Sequence, residues 1–186
     1  MEAAVRTILE EIGEDPDRQG LQKTPFRVAK MYREVTKGYH ADPAKIINGA
    51  IYDVAYDEMV VVANIEYYSL CEHHMLPFFG VVHVGYIPNG KVVGLSKIPR
   101  MVEMFARRLQ IQEQMTVDIA HLLNNCLQPD GVGVIVEGQH MCMMMRGVQK
   151  DQARMVTSAM LGSFKEDEKT RAEFLNLIKK GGSIFD

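Results

Sequence analysis

Residues 81–95 read VVHVGYIPNGKVVGL, two β-rich runs around a turn. Val81 to Ile87 is typical of a strand, Pro88-Asn89-Gly90 of a tight turn, and Val92 to Leu95 of a returning strand. Another β-rich run lies upstream, from Met59 to Ile65. Consecutive strands joined by short connections predict an antiparallel meander.

Helical and strand patterns follow the meander. Ser96 can cap a helix through about Leu109, and a second helix is predicted from about Gln112 to Leu127. Two more strands are predicted, Gly133 to Glu137 and Met141 to Gly147. Strands, then helices, then strands indicate an α+β fold and not a doubly wound parallel sheet.

Both ends of the chain are predicted to be helical. Val5, Ile8, Leu9 and Ile12 recur at helical spacing, and Thr24-Pro25 begins a second helix with a hydroxyl cap and an early proline. A last helix covers roughly Glu168 to Lys179 before a Gly181-Gly182 stop. We therefore expect an N-terminal helical extension, residues 1–50, before a domain of residues 51–186.

The charge and the apolar pattern exclude some classes of partner. A formal net charge of −3 argues against a nucleic-acid or anionic-membrane surface, since those partners usually need a basic face. No apolar run approaches the roughly 18–20 residues needed to cross a bilayer, and no secretory signal follows Met1. We expect a cytoplasmic protein, in which cysteine clusters more often bind metal than form disulfides.

Two short segments, Cys71-Glu72-His73-His74 and His140-Met141-Cys142, hold the dense cluster of soft metal ligands. Residues 71 and 74 can face one ion from a single turn, and residues 140 and 142 share one face of a strand. With Cys71, His74 and Cys142 as ligands, zinc keeps an open position for a water whose pKa falls to about 7. The pattern predicts a zinc-dependent hydrolase.

This ligand set leaves His73 and His140 as proton carriers, whereas a closed structural site would add His140 as a fourth ligand. Read as a strand, residues 140–146 put Met141, Met143 and Met145 on the opposite face, where we expect core packing. Four further residues are expected to be structural or on the surface: His40, His83, His121 and, in the core, Cys126.

Several cations are candidates for binding an anionic ligand. Lys97 and Arg100 lie three residues apart at the start of a helix whose first N–H groups favour an anion, which is a plausible phosphate site. Arg27 and Lys30 repeat the spacing, and Arg146 is predicted to face the same way as Cys142. Each pair taken alone is more often a solvated helix face.

Glu113, next to Gln112 at the start of a predicted helix, has two interpretations. A carboxylate in a first turn is stabilised by the helix dipole and needs no other role. One carboxylate can also accept two parallel hydrogen bonds from the N1 and 2-amino edge of guanine.

Together these residues resemble GTP cyclohydrolase I, the zinc-dependent type of the tunnelling-fold family. The matching segments keep the family's order from about residue 20 to the end: Thr24–Tyr32, Cys71–Phe78, Gly94–Arg100, Arg108–Glu113 and His140–Val148.

The resemblance implies an antiparallel sheet with helices on one face, assembled into a homodecamer whose active sites are shared between subunits. It implies that GTP and water give formate and 7,8-dihydroneopterin triphosphate, the first step of folate and pterin synthesis. Cys71, His74 and Cys142 would hold one Zn²⁺ per subunit, and His73, His140 and Ser96 would be catalytic. The substrate-binding residues would be Gln112 and Glu113 for guanine, and Lys97, Arg100, Arg146, Arg27 and Lys30 for the triphosphate.

Two alternatives predict different behaviour with GTP. A purine or pterin binding module with structural zinc would bind GTP without consuming it. A related enzyme acting on a deazapurine would use a cysteine nucleophile and no metal. The spare coordination position and the Cys71, His74 and Cys142 set favour the zinc hydrolase.

Overall fold

The computed structural model describes residues 1–180, and the predicted Gly181-Gly182 stop lies outside them. The N-terminal helices are α1 (Glu2–Glu11), α2 (Thr24–Val35), a 3₁₀ helix (Lys37–His40) and α3 (Pro43–Ile47). The predicted hydroxyl cap is wrong: Thr24 is the first helical residue, and no side chain caps α2. Pro25 does lie in the first turn, where its missing N–H costs nothing.

A five-stranded sheet in the order β5-β2-β3-β6-β7 forms the centre of the fold. All neighbours pair antiparallel except β2 and β5, which form a short parallel contact. The strand bounds are β1 Ile51–Asp53, β2 Val60–Cys71, β3 Pro77–Ile87, β4 Lys91–Val93, β5 Leu109–Gln110, β6 Gly131–His140 and β7 Met155–Gly162.

The meander is confirmed for β2 and β3 but wrong after the turn at Pro88-Asn89-Gly90. Instead of returning along β3, β4 leaves the sheet and pairs with β1, so that Val93 lies opposite Ile51. The place beside β3 is taken by β6, over ten residue pairs from Phe78 and His140 to Ile87 and Gly131. This long non-local pairing outweighs the short hairpin that the turn signal favours.

Two helices, α4 (Lys97–Ala106) and α5 (Gln112–Leu127), pack on one face of the sheet and bury its main core. This confirms the predicted α+β class, an antiparallel sheet with helices on one face. Near one end, α7 (Ser163–Glu166) and α8 (Glu168–Lys180) also cover the opposite face. They can do so because β6 has Gly133 there, where a Cβ would lie 2.5 Å from the Phe164 ring.

The predicted strand from Met141 to Gly147 is wrong. The strand β6 ends at His140, and the next residues form a short helix, α6 (Met141–Met144). Beyond the pair of His140 with Phe78, β3 offers only Pro77, which has no N–H to continue the ladder. Methionine is a good helix former, so the segment turns into a helix.

The methionines of this segment do not fill the core as predicted. Met141 and Met143 are half-buried, and Met145 is 58% exposed. The strand that follows, β7, was not predicted from the sequence.

No helix within residues 1–180 is long and apolar enough to cross a membrane.

The remaining histidines are structural or on the surface, as predicted. His40 and His121 are exposed. His83 is buried, accepts a hydrogen bond at Nδ1 from the Asn64 backbone N–H (3.3 Å), and lies 3.6 Å from Glu137 through Nε2. Cys126, predicted in the core, is only half-buried.

Candidate metal centre and substrate cavity

Cys71, His74 and Cys142 come together at one end of the sheet. Cys71 is the last residue of β2, His74 lies in the turn before β3, and Cys142 lies in α6. Their ligand atoms are all within 4.8 Å of one another. The Cys71 carbonyl accepts a hydrogen bond from the Met75 N–H (2.8 Å), which closes the turn and brings His74 back towards the cysteine.

The two thiols lie in an environment that disfavours two uncompensated negative charges. Cys71 is buried and Cys142 half-buried. Burial, together with neighbouring Cys71, raises the pKa of the Cys142 thiol, and the nearby Arg146 guanidinium opposes this rise. A bound cation would stabilise both thiolates, because a metal deprotonates a coordinating thiol outright.

His140, the last residue of β6, lies beside this cluster in a fixed orientation. Its ring stacks on Phe78, with a centroid distance of 4.5 Å and an interplanar angle of 6°. Its Nε2 is 3.0 Å from Gln112 Oε1. Burial lowers the pKa of His140, and the negative charge of Glu113 opposes the shift. The imidazole is therefore held in place and biased towards its neutral form.

His73 and Arg146 lie on the exposed side of the cluster. His73 Nδ1 is 3.9 Å from Cys71 Sγ, and its Nε2 is 3.8 Å from a Glu72 carboxylate oxygen. Arg146 Nη1 is 3.1 Å from His74 Nε2 and donates a hydrogen bond to the Cys142 carbonyl oxygen (3.5 Å). Both predicted site residues therefore contact the candidate ligands.

A cavity of about 330 Å³ opens beside the cluster. Glu113 lines it from the first turn of α5 and is exposed to it, whereas Gln112 is only 1% exposed. The Glu113 carboxylate can therefore meet a ligand, while the Gln112 carboxamide is used inside the subunit. The cavity lining consists of Cys71, Glu72, His73, His74, Gln110, Ile111, Gln112, Glu113, His140, Cys142 and Met155.

The other predicted residues lie elsewhere in the subunit. Ser96 lines a separate open groove together with Asn64 and Leu95. Arg100 lines a third depression, beside the 3₁₀ helix. Arg27 and Lys30 are exposed on α2. One subunit brings the candidate zinc ligands, His73, His140, Glu113 and Arg146 together, but not Ser96 or the other predicted cations.

Comparison with known proteins identifies the family. The sequence model of GTP cyclohydrolase I matches residues 1–179. The chain belongs to the GTP cyclohydrolase I family. GTP cyclohydrolase 1 of Gloeobacter violaceus is 58% identical over 175 residues, which cover 94% of this chain and 82% of that protein. The Leptospira biflexa enzyme is 55% identical over 181 residues, covering 97% and 99%.

As a GTP cyclohydrolase I, the chain is a hydrolase that converts GTP into 7,8-dihydroneopterin triphosphate, the first step of folate and pterin synthesis. This confirms the family and the activity expected from the motifs. A third relative, GTP cyclohydrolase 1 of Campylobacter curvus, is 58% identical over 177 residues, covering 95% of this chain and 93% of that protein.

The residues that hold His140 in this GTP cyclohydrolase I were not found from the sequence. Phe78 stacks on the imidazole, while Thr116 and Thr157 bond to Gln112. Phe78 ends the matching segment Cys71–Phe78 but has no role assigned there, and Thr157 belongs to the strand that was not predicted. No local pattern assigned them this role, because it depends on pairing between distant strands.

Proposed function

We propose that the reaction takes place at one zinc ion per subunit, held by Cys71, His74 and Cys142, in the cytoplasm. Two thiols and an imidazole are a donor set that zinc prefers, and ligand atoms within 4.8 Å of one another need only a small approach to meet one ion at bond lengths of about 2.0–2.3 Å. When bound, zinc would supply Lewis-acid activation of water near neutral pH.

The chain's own residues would move protons and orient the substrate. His140 and His73 border the cluster and can donate a proton to the purine ring and take it back as the ring opens. The exposed Glu113 carboxylate can accept from the N1 and 2-amino groups of guanine. The buried Gln112 amide supports a role towards His140 instead of the guanine contact that the resemblance implies.

The triphosphate would be bound by Lys97, Arg100, Arg146, Arg27 and Lys30, with Ser96 near the ribose. Since most of these residues lie outside the cavity of their own subunit, we infer a homo-oligomer, the family's decamer, with sites completed by a neighbour. Exposed apolar side chains on α1 and α2 and just after α1 support burial against another copy: Ile8 58%, Ile12 69%, Phe26 56% and Met31 44%.

The zinc proposal is tested by incubating the purified protein with GTP, with and without a chelator, and measuring formate and a fluorescent pterin. Cys142→Ser is expected to lose zinc and turnover together, whereas His140→Ala keeps zinc and loses turnover. Formate release at the wild-type rate by both variants, or by fully chelated protein, would contradict the proposed centre.

The shared site is tested by mixing two inactive variants, His140→Ala and Arg100→Ala, after dissociation and reassembly. If a site takes its zinc side from one subunit and its phosphate side from a neighbour, random mixing at equal amounts makes about a quarter of the sites wild-type on both sides. The activity of the mixture should therefore rise towards about a quarter of the wild-type activity. Mixtures that stay as inactive as the separate variants would argue for sites built within one subunit.

A further inference from the structure

Gln112 connects two strands, β6 and β7, with the catalytic histidine from a buried position. Its Nε2 lies 3.0 Å from the Val136 carbonyl oxygen on β6 and 3.1 Å from the Met155 carbonyl oxygen on β7. Carbonyl oxygens only accept hydrogen bonds, so the atom between them has to be the amide nitrogen. The orientation of the carboxamide is therefore fixed by its surroundings.

A ring of hydrogen bonds reinforces that orientation. Thr116 Oγ1 donates to the Gln112 backbone carbonyl oxygen at 2.7 Å, which uses its hydroxyl proton. In the 2.6 Å contact between the two threonines, Thr157 is then the donor. Thr157 Oγ1 is left to accept from Gln112 Nε2 at 3.2 Å, and the two amide protons are thus shared among three acceptors. Each group in this ring therefore donates to the next, from Gln112 Nε2 to Thr157, from Thr157 to Thr116, and from Thr116 to the Gln112 carbonyl oxygen. Hydrogen bonds that run in one direction strengthen one another.

With Nε2 directed at these acceptors, Oε1 is the end of the amide that faces His140. An amide oxygen only accepts, so His140 Nε2 has to carry a proton to use the 3.0 Å contact. In a neutral imidazole that leaves Nδ1 with the lone pair. Stacking on Phe78 restrains the ring against a flip, which would place Cε1 instead of Nε2 opposite Gln112.

We propose that Gln112 is a positioning residue that fixes His140 as its Nε2-protonated tautomer, so that Nδ1 is the nitrogen that carries the lone pair. This rests on the proposed function of His140 as a proton carrier.

The proposal is tested on the zinc-loaded full chain, without substrate, by ¹⁵N and ¹³C NMR of labelled histidine in the sedimented protein. Subtracting the spectrum of His140→Ala assigns the ring. The wild type should hold His140 protonated at Nε2 and unprotonated at Nδ1. Gln112→Met, of similar length but without an amide, should give a mixture of both tautomers. A wild-type ring protonated at Nδ1, or a tautomer unchanged in Gln112→Met, would overturn the proposal.

Gln110→Met is the matched control for the NMR experiment. Gln110 is also buried and lines the same cavity, but its Nε2 donates to the Phe105 carbonyl oxygen at 3.1 Å. This variant should keep the wild-type tautomer. If Gln112→Met does not fold, Gly138→Ala displaces Oε1 without altering either partner, because a Cβ there would lie 2.3 Å from that oxygen.

Kinetics separates positioning from guanine recognition. In Gln112→Met, kcat should fall about tenfold to a hundredfold for GTP and for ITP alike, with KM and zinc content little changed. If Gln112 read guanine instead, KM for GTP would rise and the preference over ITP, which lacks the 2-amino group, would fall. A wild-type protein that releases no formate would reject the proposed function, whereas the tautomer result stands independently of turnover.

Discussion

Gly138→Ala gives a quantitative test of how closely the site is packed. A Cβ at residue 138 would lie 2.3 Å from Gln112 Oε1 and 2.5 Å from the Tyr67 hydroxyl. Ordinary contact needs about 3.4 Å or more, so Oε1 has to retreat by about 1 Å. Its separation from His140 Nε2 then grows from 3.0 Å to about 4 Å, beyond hydrogen-bond range.

The expected loss follows from the energy of that bond. A hydrogen bond to a charged group contributes about 1.5–3 kcal/mol, and His140 carries charge when it holds the extra proton. Losing it should lower kcat about tenfold to a hundredfold, at unchanged zinc content, while crowding lowers the free energy of unfolding by about 1–3 kcal/mol. Formate release measures kcat, and metal analysis measures the zinc content.

The control is Gly20→Ala, where an added Cβ would meet only the exposed guanidinium end of Arg18. It should retain wild-type kcat and stability. A Gly138→Ala protein that is destabilised as expected but turns over within about twofold of wild type would refute the reasoning, because the oxygen would have moved without consequence. Loss of zinc together with activity would also refute it, since the contact does not involve a ligand.

Three further perturbations test other parts of the molecule. Glu113→Gln should lower kcat/KM for GTP about tenfold to a hundredfold and reduce the preference over ITP, because an amide cannot accept two parallel hydrogen bonds. Phe174→Ala, at a fully buried ring packed edge-to-face, should lower the free energy of unfolding by about 3–5 kcal/mol in urea titrations and leave zinc content unchanged. Burial lowers the pKa of His83 although Glu137 opposes it, so the unfolded chain binds a proton first and stability falls as pH drops below about 6.5. His83→Gln should flatten that fall in thermal unfolding scans, and His121→Gln, at an exposed position, should not.

The sequence predicted the parts of the fold whose signals are local. Helical periodicity located α4, α5 and α8, and the β-rich runs located β2 and β3. The sequence did not predict strand pairing between residues that are far apart along the chain: β4 pairs with β1 and not with β3. The same holds after His140, where the helix α6 replaces a predicted strand because β3 has no partner left to offer.

For the site, the choice of soft ligands was enough to predict a cluster of Cys71, His74 and Cys142, although Cys142 lies in α6 and not on the predicted strand. The environment of Gln112 was not predictable. Its acceptors lie on β6 and β7, 24 and 43 residues further along the chain, so no local pattern records them. The same limit applies to Ser96, whose motif is clear but whose place in the subunit is a different groove.

The convergence of the site depends on two strand registers. Cys71 pairs with Gln110 in the short parallel contact of β2 and β5, which places the start of α5 beside the cluster. Phe78 pairs with His140, which brings in the segment that ends at Cys142. The first contact comprises only two residue pairs and is weak alone. Gln112 compensates by bonding α5 to β6 and β7, so the amide that orients the imidazole also holds the helix against the sheet. An apolar residue of the same volume would fill the space but would remove the hydrogen bonds from the amide to these carbonyl oxygens and leave the imidazole without the acceptor that selects its tautomer.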